Sequence, residues 1–192
     1  MRTLLTLMFA LIGTSVGVPA ALAQTVAYSI SSADTHVHWE VRHFGTSTHR
    51  GRFDNVSASI ELDRVHQRGN VSVTIATAVV DSGVGALDGM LRSGTFLASA
   101  AHPKAYFVSS SVVFDADRLK EARGEFTLRG ISRPLTLRAL QFSCRADPAT
   151  TREICGGDFE AEFLRSDYGI TFGLPFVGDK VRLVIQVEAV RE

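Results

Sequence analysis

Residues 124–137 read G-E-F-T-L-R-G-I-S-R-P-L-T-L. Phe126 and Leu128 share one face of an extended segment, while Glu125, Thr127 and Arg129 share the other. Gly130 to Pro134 holds the turn residues, and Leu135 and Leu137 restart the alternation. Successive side chains of a strand point to opposite faces, so a period of two around a Gly/Pro turn predicts an antiparallel hairpin. The same period recurs along the chain. Val37, Trp39, Val41 and His43 alternate with His36, His38, Glu40 and Arg42. Val56, Ala58, Ile60 and Leu62 alternate with Ser57, Ser59, Glu61 and Asp63. Val71, Val73, Ile75, Thr77 and Val79 form a further set, and Tyr106, Val108, Ser110, Val112 and Phe114 another. Phe159, Ala161 and Phe163 follow, and Val181, Leu183, Ile185, Val187 and Ala189 close the chain. These patterns predict an all-β fold of about eight strands. Each strand sets one wall against a core and the other in water. A sandwich and a closed barrel both satisfy that pattern.

The alternation fails over residues 81–101. Val84, Leu87 and Leu91 fall at helical spacing there, and Gly83, Gly85, Gly89 and Gly94 loosen the segment. It reads as a short helical insertion around residues 84–98, a lid or plug if the strands close into a barrel.

The first 23 residues read as a secretory signal peptide. Arg2 gives a positive start, Leu4 to Val18 is mostly apolar, and Ala21-Leu-Ala23 has the small-x-small pattern of a cleavage site. The apolar stretch is shorter than the ~20 residues of a membrane span. Residues 24–192 then form one domain, destined for the periplasm or for secretion. A formal net charge of zero argues against nucleic acid and against anionic membrane surfaces as the main partner. In an exported protein the only two cysteines, Cys144 and Cys155, read as a disulfide stapling a hairpin whose turn holds Asp147-Pro148. Without a C-x-x-C motif, a redox role has little support.

Several pieces together resemble the YceI-like family of exported, lipocalin-like, polyisoprenoid-binding proteins. They are Tyr28-Ser-Ile30, Val37-x-Trp39-x-Val41-x-His43-x-Gly45, Gly51-Arg-Phe53, Leu91-Arg-Ser93 with Asp88 and Phe96, and Pro103 with Phe107. The 124–137 hairpin, residues 165–170 (R-S-D-Y-G-I) and the last strand complete the set. The chain departs from the family at Asp34-Thr35 and at Met90, where many members carry histidine, and its cysteine pair is not a general family feature. The resemblance implies an antiparallel barrel with an apolar cavity for a slender ligand. That ligand would be a polyisoprenoid or prenylated quinone, with no cofactor and no enzymatic activity.

A prenyl chain makes no hydrogen bonds, so its binding rests on apolar burial, about 0.8 kcal/mol per CH₂. The chain has 12 Phe against one Trp and three Tyr, which suits a lining without polar atoms. The candidate lining is Trp39, Phe53, Phe96, Phe107, Phe126, Phe163 and Phe172, against the plain alternative that about half of these are ordinary core. His43 shares the inward face of its strand and either meets a head group or satisfies a core hydrogen bond. Arg165 or Arg92 could meet a phosphate or quinone oxygen, or could instead form an Arg–Asp pair that fixes a loop, with Asp167 at hand. His36 and His38 lie on the outer face, where an H-x-H pair with His49 as a third ligand would be needed to hold a metal. No metal site is assigned. Nucleophile elbows, phosphate loops and paired carboxylates are absent from the sequence.

The sequence therefore points to a carrier of hydrophobic lipid. The alternative is a ligand-free barrel whose surface serves a periplasmic redox or envelope-stress partner. An enzyme acting on a lipid would need convergent polar groups inside the cavity. An exposed edge strand or the helical segment could pair two copies into a homodimer.

Overall fold

The computed structural model describes residues 25–192. The proposed signal peptide and its cleavage site lie outside the described residues. Eleven strands and one helix follow in the order β1 (Val26–Ile30), β2 (His36–His43), β3 (Ser47–Phe53), β4 (Val56–Asp63), β5 (Arg68–Ala76), β6 (Val80–Asp81), α1 (Gly85–Arg92), β7 (Lys104–Asp115), β8 (Arg118–Leu128), β9 (Ile131–Ala146), β10 (Glu153–Leu164) and β11 (Val177–Arg191).

The pairing makes a closed antiparallel barrel of eight staves. β1 and β2 both pair with β11, at Ile30 opposite Ala189 and His36 opposite Gln186, so they are one bent stave. β3 and β4 pair with β2 and β1 in nearly continuous register and form the second stave. β5 and β6 repeat the arrangement, broken by a 3₁₀ turn at Thr77–Val79. β7 to β11 are unbroken staves that meander around to the first. Every stave has two neighbours, so among the described residues no full-length edge strand is left for the edge-strand pairing of copies considered from sequence.

Three features refine the sequence-based expectations. The 124–137 hairpin turns on Arg129 and Gly130 alone, both with positive φ (53° and 74°). That is a two-residue turn of the kind that matches strand twist, and Ile131 to Pro134 already belong to β9. Val79 is exposed, because the 3₁₀ turn shifts the phase and sends Val80 inward instead. In β7 the expected inward set fails at its start. Ala105 and Phe107 are buried, whereas Tyr106 and Val108 are exposed. A bulge between Ser109 and Ser111 adds a residue, after which Val112 and Phe114 turn inward as expected.

Inward side chains of all eight staves make one core from Val37 and Trp39 around to Val181 and Leu183. Burying each large apolar side chain is worth about 1.5–3 kcal/mol. A smaller cluster of Tyr28, Leu62, Cys155 and Ala189 closes one end, the base. There Cys144 and Cys155 face each other across β9 and β10 and are disulfide-bonded. At the other end, residues 82–103 cross the barrel mouth, with α1 beside β6.

Candidate functional site

The barrel interior holds two chambers. The larger, about 190 Å³, lies under α1. Trp39, Val41, His43, His49 and Phe53 line one side of it, and Phe126, Phe163, Arg165 and Ile170 another. Leu87, Met90 and Leu91 of α1, with Phe96, roof it. The smaller, about 100 Å³, sits toward the base between Phe107, Phe142, Phe159, Tyr28 and the aliphatic faces of β4 and β5. Ile75, Phe126 and Leu183 line both chambers and form a waist between them.

The seven candidate lining residues and the polar candidates His43 and Arg165 each face one chamber or the other. Trp39, His43, Phe53, Phe96, Phe163, Arg165 and Phe172 line the upper chamber, Phe107 lines the lower, and Phe126 lines both. The indole of Trp39 lies flat against Gly51, its partner on β3. A Cβ at residue 51 would sit 2.4 Å from the ring, so only glycine leaves the space. The Trp39 N–H and the Tyr168 hydroxyl are buried without a hydrogen-bond partner. Tyr168 packs against Phe126 and Phe163, with ring centroids 5.6 and 5.2 Å away. Burial, helped by Asp167, pushes the Tyr168 phenol up to about 12.

Arg165 is buried, and its guanidinium is spent on backbone. Nε donates to the Gly178 carbonyl at 2.8 Å, Nη1 to Ile170 and Phe172 at 3.0 and 2.9 Å, and Nη2 to Val177 at 2.8 Å. Burial lowers its pKa, with Asp179 opposing. Arg165 thus ties down the loop between β10 and β11. It lines the chamber, but it is a clamp on that loop in place of the Arg–Asp pair considered from sequence. Asp179 instead accepts from the Ser166 amide and hydroxyl at 2.9 and 2.7 Å. Arg92 and Asp167 are exposed, and neither lines a chamber.

His49 does not join His36 and His38. It pairs across from Val41, inside the mouth, and stacks on His43 with ring centroids 4.1 Å apart. The metal-ligand trio weighed from sequence is therefore split between the two faces of the sheet. Sequence reasoning missed the waist residues Ile75 and Leu183 as a pair, and the roof residues Leu87 and Met90. A helix that covers a mouth shows only its own amphipathic stripe in sequence. What it covers is settled by distant strands.

The closed meander agrees with the fold of known proteins. A family model described as the YceI-like domain matches residues 28–189. The chain belongs to the YceI-like family. Protein YceI of Escherichia coli O157:H7 is 32% identical over 176 residues, covering 90% of this chain and 91% of that protein. The crystal structure of BcnA from Burkholderia cenocepacia superposes with a TM-score of 0.67 at 18% identity, over 83% of this chain and 98% of BcnA. A polyisoprenoid-binding domain from Saccharophagus degradans superposes with a TM-score of 0.60 at 15% identity, over 87% and 99%. At such identities the two structures speak for the YceI-like fold alone.

Proposed function

We propose that this YceI-like protein is an exported, non-enzymatic carrier that sequesters a polyisoprenoid or prenylated quinone in the periplasm. The observation that carries the reading is the pair of apolar chambers inside a closed barrel. A barrel that served only as a partner surface would be expected to fill its core. Few polar groups line the upper chamber, and the one permanent cation among them, Arg165, has donors on four backbone carbonyls. That arrangement favours a neutral ligand held by burial over a charged one held by ion pairs.

Size bears on the ligand as well. A cavity of ~150 Å³ takes one benzene. The upper chamber therefore suits one ring-sized group or the start of a chain, and a longer chain must pass Phe126 to reach the lower chamber. Trp39 is the sole tryptophan and lines the upper chamber, so its fluorescence reports on occupancy. The test is native mass spectrometry with organic extraction on protein purified without detergent, followed by titration of added prenyl quinones against Trp39 emission. Near one prenyl lipid per chain supports the carrier. An empty protein whose emission ignores added quinone would overturn it.

A further inference from the structure

The four connections at the roofed end carry the three most exposed phenylalanines of the described residues. Phe44 is 60% exposed on the β2–β3 turn, and Phe172 and Phe176 are 57% and 62% exposed on the β10–β11 loop. Val84 and Met90 add exposed apolar surface at α1. The Phe44 and Phe176 rings pack 5.6 Å apart, and Phe172 packs 5.7 Å from Phe96, a roof residue of the chamber. The exposed patch is thus continuous with the mouth of the cavity. Among the described residues the opposite end exposes only Val65 of the large apolar side chains.

Charge divides the molecule in the same way. Arg42, Arg92, Lys104, Arg129 and Arg133 surround the roofed end, and none has a carboxylate within 4.0 Å among the described residues. Asp81 and Asp54 there are already paired with Arg52, and Asp88 accepts from Ser82. Among the described residues Asp167, and Glu125 lower on β8, are exposed carboxylates without an ion pair on this side, two against five cations. At the base most cations are paired, Arg64 with Glu153, Arg68 with Asp63, Lys120 with Asp115 and Arg145 with Glu188, and two, Arg152 and Arg191, have no carboxylate within 4.0 Å among the described residues, against five at the roofed end.

Exposed aromatic side chains ringed by uncompensated cations fit a bilayer surface. The rings enter the headgroup and acyl boundary, and the cations meet lipid phosphates. A second copy of the chain fits poorly, because a symmetric contact would set this cationic rim against itself. We propose that the roofed end docks on anionic phospholipid bilayers and opens the cavity mouth toward its lipid source. The inference deepens the carrier reading and rests on it for the purpose of docking, though not for the contact itself.

Co-sedimentation with vesicles of phosphatidylglycerol and phosphatidylethanolamine, set against phosphatidylcholine alone, tests it. The expected result is binding to the anionic vesicles that falls with added salt. Phe44→Ser with Phe176→Ser should weaken it at least tenfold, and each of Arg92→Gln and Arg133→Gln roughly fivefold. Neither Phe44 nor Phe176 lines a chamber, so uptake of a prenyl quinone from solution, read by Trp39, should persist in the double variant. Wild-type protein left in the supernatant with both vesicle types would overturn the proposal, as would undiminished binding by the double variant. A wild-type dimer in sedimentation equilibrium that the double variant dissolves would reassign the surface to a second copy. Vesicle binding without any quinone uptake would keep the docking surface and overturn the carrier reading.

Discussion

The two ends of the barrel are built on opposite rules. At the base the connections are tight and polar, and they are fastened. Residues 64–67, 116–117 and 147–152 turn the chain, with Asp147 accepting from the Ala149 amide and the Thr150 hydroxyl. Tyr28 donates to Glu153 at 2.6 Å, Arg64 pairs with the same carboxylate, and the disulfide lies directly beneath. At the roofed end two of the four connections are long, residues 82–103 and 165–176, and α1 buries none of its residues fully. Arg165 and Arg129 hold that end by donating to backbone carbonyls, Arg129 to Phe96 and Gly169. The difference teaches that the barrel places its covalent fastening where nothing needs to pass. Where a ligand would enter, it relies on loop carbonyls that can be released.

That contrast can be broken by substitution. The largest effect is expected from Arg165→Met, which takes the donor from four carbonyls, one buried and three partly buried. At about 1 kcal/mol each, the low end for an unmet group, the loss is roughly 4 kcal/mol in urea unfolding. Arg165→Lys should recover little, because an ammonium cannot reach the same four acceptors from one plane. A loss below ~1 kcal/mol would mean that the roofed end does not depend on this clamp.

At the waist, Phe126→Ala should cost about 3–4 kcal/mol and join the chambers. The discriminating readout is chain length. Geraniol, farnesol and geranylgeraniol titrated against Trp39 emission should show the longest prenol gaining most in the variant. Equal gains for all three would remove Phe126 as the divider. At the base, Cys144→Ser with Cys155→Ser should lower stability by roughly 3 kcal/mol and leave the preferred prenol unchanged. A changed preference would show that the disulfide end shapes the site after all.

Alkaline pH sharpens the comparison with one residue from each end. Tyr28 at the base and Tyr168 under the roof are both pushed up to about 12, mainly by burial. Their folded pKa values exceed the unfolded value of about 10. The stability they contribute is therefore complete below pH 10 and lost as pH rises toward 12. Tyr28→Phe and Tyr168→Phe should each flatten part of that fall in pH-dependent melting, and a fall unaltered by both would exclude them as its source. The smallest effect is expected from Phe44→Ser. This exposed ring should change unfolding free energy by less than ~0.5 kcal/mol, measured in urea, because it contributes to no core.

Much of the barrel was legible because strand alternation is local. Trp39, Phe126, Phe163 and Leu183 lie where a period of two puts them, and the 165–170 motif marks the loop below the roof. The reading failed where the period broke. Val79 and the start of β7 fall on the other face, since the 3₁₀ turn at Thr77–Val79 holds no Gly or Pro and the bulge at Ser109–Ser111 has its glycine, Gly124, on the neighbouring strand. Arg165 was recognised as polar within a motif, but carbonyl acceptors carry no side-chain signature, so its clamp could not be read. His49 was grouped with His36 and His38 by residue type, and only its register opposite Val41 places it beside His43.

The sequence by itself determined the class of the fold, the inward faces of most staves, the short helix and the apolar character of the interior. Each follows from the spacing of neighbouring residues. Only the tertiary structure decided that the sheet closes, that Tyr28 meets both Ile60 and Arg191, and that the cavity is pinched into two chambers at Ile75, Phe126 and Leu183. Closure depends on pairings between residues more than a hundred positions apart, such as Tyr28 and Arg191, and a local periodicity holds no information about which distant strand will lie alongside.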